Sequence, residues 1–152
     1  MARNKVLIGV TGVHYVAFQL SARGLKVRLT PPGARLMVAN PGTGKTIDVQ
    51  VKTNPNAYVK SKKEGPYFSW RISEKLAKAQ PREGYFFVLV DLRGGPPTEE
   101  TRSYEPDVYI VPSEELEKTD WKSGRNNFWC WVDESDASEY RNRWDRIQKA
   151  LT

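Results

Sequence analysis

The run Thr46-Ile47-Asp48-Val49-Gln50-Val51-Lys52-Thr53 decides how this chain reads. Ile47, Val49 and Val51 alternate with Asp48, Gln50 and Lys52, the period of two that puts one set on each face of a strand. The polar set is a carboxylate, an amide and an ammonium in one row, about 7 Å apart along the strand. Such a row is either the wet face of a half-buried strand or a site for a metal ion and a phosphate. In the second case Asp48 and Gln50 supply oxygen ligands for Mg²⁺, and Lys52 stands by the phosphate or the attacking water. Gln50 offers only a neutral carbonyl, a weaker ligand than a carboxylate.

Working outward, residues 35–39 predict a second strand, and the turn-rich Asn40-Pro41-Gly42-Thr43-Gly44-Lys45 folds it back onto 46–53 as a hairpin. Residues 39–46 also match the letters of a relaxed phosphate-binding loop. That loop must lead into a helix whose N-terminus holds the phosphate, whereas a strand pattern follows here, so the hairpin turn is the better reading. Upstream, Thr11 as N-cap and Gly24 as the stop bracket a helix with Val13, Val16, Ala17 and Leu20 on one face. Residues 25–30 alternate as a strand, ended by Pro31-Pro32-Gly33.

Downstream, 54–65 reads as a polar loop, 68–72 as a short strand and 73–79 as a helix capped by Ser73. The near-continuous apolar run 85–92 suits a central strand buried on both faces. Residues 96–104 read as a loop, 107–111 as a strand, 112–116 as a short helix, and 137–151 as a terminal helix with Tyr140, Trp144, Ile147 and Leu151 at helical spacing. Trp121, Phe128, Trp129, Trp131 and Trp144 could stack on bases, but packing is the commoner use of such residues and is favoured. His14 has no recognisable catalytic partner, so a surface or capping role is expected.

At 152 residues the chain is expected to form one domain, 1–152. No apolar run approaches the roughly 20 residues that cross a bilayer, so no membrane partner is expected. The start lacks the pattern of a secretory signal, which points to the cytoplasm. The single cysteine, Cys130, allows no internal disulfide, and with one histidine, His14, it excludes a Cys/His zinc cluster. Residues 1–63 carry eleven Lys or Arg against one acid, Asp48, whereas 64–152 carry thirteen bases and seventeen acids. A half so basic suits a polyanion, and nucleic acid, DNA above all, is the expected partner.

Taken together, Gly12, the helix with Val16-Ala17 and Leu20, the break at Gly24, the hairpin ending in Gln50-Val51-Lys52-Thr53, Trp70, the 85–92 strand and Tyr109-Ile110-Val111-Pro112-Ser113 resemble the PD-(D/E)XK nuclease-like superfamily. Within it the chain looks most like small stand-alone bacterial members with a Gln-Val-Lys-Thr strand. The resemblance spans nearly the whole chain, and its most specific piece is that strand. It implies an α/β fold, a mixed central β-sheet flanked by helices and restriction-endonuclease-like, with the site at the hairpin.

Gln50 and Lys52 match the second half of that family's motif. The Asp of the first half falls on Arg35, or on Ala34 one residue away, and an acid common after the helical glycine falls near Val13, with Gln19 at a later polar position. An arginine where the metal-bridging carboxylate belongs puts positive charge at the cation's place, yet it can hold a phosphate directly. The resulting expectation is a degenerate nuclease fold that binds nucleic acid through Arg35, Lys45, Lys52, Lys60, Lys62 and Lys63 with weak or no cleavage. The alternatives are an active Mg²⁺-dependent endonuclease, with Asp48 and Gln50 as ligands and Lys52 at the phosphate, or a protein-interaction module using the aromatic residues at 121–131. Because such domains often cut two strands as pairs, the resemblance also allows a homodimer.

Overall fold

A computed structural model of the chain describes residues 4–30, 34–77, 81–93, 105–116, 118–119 and 128–152. The first helix, α1, spans Lys5–Ala22 and starts at Asn4, whose side chain accepts a hydrogen bond from the Val6 amide at 2.9 Å. It therefore begins ahead of the expected cap at Thr11, whose hydroxyl instead donates back to the Leu7 carbonyl. Its end is as expected, with Gly24 at a φ of +82° and the Leu25 amide donating to the Leu20 carbonyl.

The strands β1 (Lys26–Thr30), β2 (Arg35–Ala39) and β3 (Thr46–Asn54) form an antiparallel meander; β3 then pairs parallel with β6 (Tyr85–Asp91), which pairs antiparallel with β7 (Asp107–Pro112). The hairpin predicted from the opening run is present in the expected register, Ala39 opposite Thr46 and Arg35 opposite Gln50. Between β3 and β6 the chain makes β4 (Tyr58–Ser61), β5 (Gly65–Ile72) and the short helix α2 (Glu74–Ala77). After β7 come β8 (Lys118–Thr119), β9 (Phe128–Asp133), a 3₁₀ turn at Glu134–Asp136, α3 (Ala137–Tyr140) and α4 (Trp144–Ala150). A second, antiparallel sheet has the order β4-β5-β9-β8.

The architecture is α/β, with a mixed five-stranded sheet. One of its faces packs Leu36, Val38, Val49, Val88 and Ile110 against Val16 and Leu20 of α1 and Trp144 and Ile147 of α4. The other packs Phe87, Leu89 and Tyr109 against Trp70, Ile72 and Cys130 of the second sheet. On this second face α3 also packs, through Ala137 and Tyr140, so helices lie on both sides of the five-stranded sheet. Each buried aliphatic side chain contributes about 1.5–3 kcal/mol, so both faces are needed to hold the domain. The Trp70 indole donates to the Val90 carbonyl at 2.9 Å and ties the two sheets together.

Three expected elements are corrected. The 54–65 loop contains the end of β3, all of β4 and the start of β5; Lys60 and Ser61 lie on β4, an edge strand of the kind that resists further pairing, and Lys62 and Lys63 in the turn after it. Residues 113–115 form a turn after β7, not a helix. The 137–151 helix breaks at Asn142, which takes a φ of +55° and donates its amide to the Val108 carbonyl at 2.7 Å. The break serves packing, because Tyr140 joins the core against the second sheet while Trp144 and Ile147 join the core under α1. The expected loop at 96–104, the end of the 73–79 helix and Trp121 lie outside the described residues. No helix among the described residues is long and apolar enough to cross a membrane.

Candidate nucleic-acid interface at the β2–β3 hairpin

Because β3 alternates, Ile47, Val49 and Val51 face α1, and Asp48, Gln50 and Lys52 face the second sheet, beside Tyr85, Phe87 and Leu89 of β6 in register. Arg35 shares that face opposite Gln50. One Asp48 carboxylate oxygen, Oδ2, meets Arg35 Nη2 at 3.0 Å and also Arg82 Nη2. Asp48 is mostly covered, at 18% side-chain exposure, whereas the two arginines are about half exposed, at 49% and 51%. Burial alone would raise the Asp48 pKa, but the hydrogen bonds and charges of Arg82 and Arg35 outweigh it and hold the carboxyl below its ordinary value.

Arg82 is the residue that sequence reasoning missed. The buried Ser113 fixes its backbone: the Arg82 amide donates to Ser113 Oγ at 3.0 Å, and the same hydroxyl donates to the Arg82 carbonyl at 2.8 Å. Its guanidinium lies 5.0 Å from the centre of the Tyr85 ring. Nothing in the sequence links Arg82 to Ser113, 31 residues away.

Gln50 is buried, and its amide nitrogen donates to the Ala34 carbonyl at 3.3 Å, an oxygen that also takes the Val51 amide at 2.7 Å. Lys52 is half-buried between the sheets. Desolvation pushes its pKa below the ordinary lysine value, with the nearby Cys130 pulling the other way. Lys45 is exposed in the hairpin turn. That turn is closed by the Gly44 amide donating to the Asn40 carbonyl at 2.8 Å, and clipped to the end of α4 where Asn40 Nδ2 and Thr43 Oγ1 donate to the Leu151 carbonyl. The phosphate-loop letters at 39–46 therefore form a hairpin turn whose polar groups cap a helix C-terminus. Lys60, Lys62 and Lys63 are exposed on β4 and the turn that follows it, in the second sheet. The fold thus brings Arg35, Asp48, Gln50 and Arg82 together, sets Lys52 further along the same face, and places Lys45 and the three β4–β5 lysines on other elements.

No protein-family model matches this chain, and no curated protein or solved structure does so either.

Proposed function

We propose that the chain is a cytoplasmic nucleic-acid-binding protein, with duplex DNA as its ligand, on a degenerate restriction-endonuclease-like domain that cleaves weakly or not at all. The observation that carries this reading is the pairing of Asp48 with both Arg35 and Arg82. Three charged groups there sum to one positive charge, and each half-exposed guanidinium has five N–H donors, more than Asp48 can engage. The free donors suit phosphate oxygens, which favour bidentate arginine. The exposed Lys45, Lys60, Lys62 and Lys63 add sequence-independent attraction.

What speaks against a magnesium-bearing form is charge and donor chemistry. A divalent cation at Asp48 and Gln50 would lie beside two guanidiniums and would have one carboxylate, already neutralised, among its protein ligands. As arranged, this donor set does not fit Mg²⁺. The likeness to PD-(D/E)XK proteins rests on the hairpin carrying Gln50-Val51-Lys52-Thr53 after an opening helix and strand, and on β3 running parallel to a buried strand.

Affinity for duplex DNA measured against salt tests the reading. The wild type should lose affinity steeply as salt rises, and Arg35→Ala and Arg82→Ala should each lower the salt slope by about one. Absence of DNA binding at low salt would falsify it. Plasmid cleavage with Mg²⁺ or Mn²⁺ that disappears in Lys52→Ala would instead establish the endonuclease.

A further inference from the structure

A cleft of about 370 Å³ lies past the carboxyl ends of β3 and β6, where Asn54 pairs with Asp91. It is about 20 Å along the strands from Asp48. The carboxyl ends of parallel strands are where open α/β sheets commonly take ligands, and the volume is that of a small-molecule site. Asp91 lines the cleft and is buried, at 3% exposure. Its Oδ1 is taken by the amides of Ala57 and Arg93, whereas Oδ2 has no hydrogen-bond partner among the described residues and is not sealed from the cleft. A buried carboxylate oxygen without a donor is costly, and burial pushes this carboxyl's pKa up.

Arg141, at the end of α3, is the complementary group in the same cleft. Its Nε and Nη2 both donate to the Tyr109 hydroxyl, at 3.3 and 2.9 Å, and its guanidinium lies 5.9 Å from the centre of the Phe68 ring. Among the described residues it forms no ion pair, and Nη1 keeps its N–H groups unengaged. Tyr58 and Phe68, with ring centres 5.1 Å apart, make the aromatic wall. Asp107, Glu134 and Arg93 complete the charges, with Arg93 Nε 3.8 Å from Asp107 Oδ2.

We propose that this cleft binds a small zwitterion of the amino-acid type, its ammonium on Asp91 Oδ2, its carboxylate on Arg141 and an apolar side chain against Tyr58 and Phe68. The site is separate from the nucleic-acid reading and independent of it. A simple anion would meet three carboxylates here and a simple cation two guanidiniums, whereas a ligand of both signs meets each with its opposite. An ammonium suits one free carboxylate oxygen, since the paired donors of a guanidinium need two. The aromatic wall favours a side chain such as that of phenylalanine or leucine.

Calorimetric titration of the full chain tests this with L-phenylalanine, L-leucine, 2-phenylethylamine, which lacks the carboxylate, and 3-phenylpropanoate, which lacks the ammonium. L-Phenylalanine should bind, and each truncated analogue should bind about tenfold more weakly or worse. Arg141→Gln should weaken L-phenylalanine while leaving 2-phenylethylamine as it was. Asp91→Asn, which keeps an acceptor for both amides, should weaken L-phenylalanine while leaving 3-phenylpropanoate as it was. If Asp91→Asn melts below the wild type, the Arg141→Gln pair of titrations decides alone. Absence of binding by both amino acids overturns the proposal. So does an amine or an acid that binds as well as L-phenylalanine, which would make the cleft a plain cation or anion site. Equal weakening of L-phenylalanine and 2-phenylethylamine by Arg141→Gln, the mark of a merely structural arginine, overturns it too.

Discussion

β3 and β6 carry a carboxylate near each end of the face they turn towards the second sheet: Asp48 opposite Tyr85, and Asp91 opposite Asn54. The two differ in what holds them. Asp91 is buried, and its Oδ1 accepts the backbone amides of Ala57 at 3.1 Å and Arg93 at 2.9 Å. Burial pushes its pKa up, only partly offset by those amides. Asp48 is held by two half-exposed arginine side chains that bring its pKa down. Backbone donors cannot leave without unfolding the strand ends, whereas guanidiniums can turn to another anion. One carboxylate is locked into the fold, and the other holds two exchangeable cations, which in the proposed function would engage a phosphate.

The largest effect expected from breaking this comparison is at Asp91. Asp91→Ala leaves two amides without their acceptor, costing about 2–3 kcal/mol of stability while leaving DNA affinity per folded molecule unchanged. Chemical denaturation and a binding titration on the same sample check both halves, and a loss of affinity without a loss of stability would merge the two ends into one site.

The opposite face of β3 gives a second contrast. A Cβ at Gly12 would fall 2.9 Å from Thr53 Cβ and closer still to Thr53 Oγ1, a buried hydroxyl with no hydrogen-bond partner among the described residues. Gly12→Ala should destabilise by about 1–3 kcal/mol through overpacking, and adding Thr53→Ala should recover part of that in a double-mutant cycle. Strict additivity in thermal melts would mean that helix and strand do not meet as described.

A smaller effect is expected at Lys52. Its folded pKa lies below the unfolded one, so the unfolded chain binds more protons between the two values, and stability there rises with pH. Lys52→Met should therefore stabilise the protein by about 1 kcal/mol near neutral pH and remove that alkaline rise, while weakening DNA binding. Melting temperatures measured from neutral to alkaline pH decide it, and a destabilised Lys52→Met would make the lysine structural.

The hairpin was legible because period-two alternation and a turn rich in Gly and Pro are local signals, and β6 because a continuous apolar run has few other uses. The second sheet was not. β4 places Lys60 and Ser61 along an edge, which reads as loop, and β5 and β9 pair across a long stretch of chain. The break at Asn142 was equally hidden, since its amide is satisfied by Val108 from another strand. At the site, Asp48, Gln50, Lys52 and Arg35 could be named from the strand and the resemblance. Arg82 could not, because Ser113 positions it and Asp48 engages it, both distant in sequence. Pattern reading finds what repeats along the chain and misses what folding brings together.

The most direct test of the account is the DNA affinity of Asp48→Asn across a salt series. With Arg35 and Arg82 released from the carboxylate, the variant should bind several-fold more tightly than the wild type at low salt. It should also show a salt slope steeper by about one, and stability within about 1 kcal/mol of the wild type. Binding weakened by Asp48→Asn, or Mg²⁺-dependent cleavage in the wild type that the variant lacks, would contradict the claim that this carboxylate holds arginines for a phosphate.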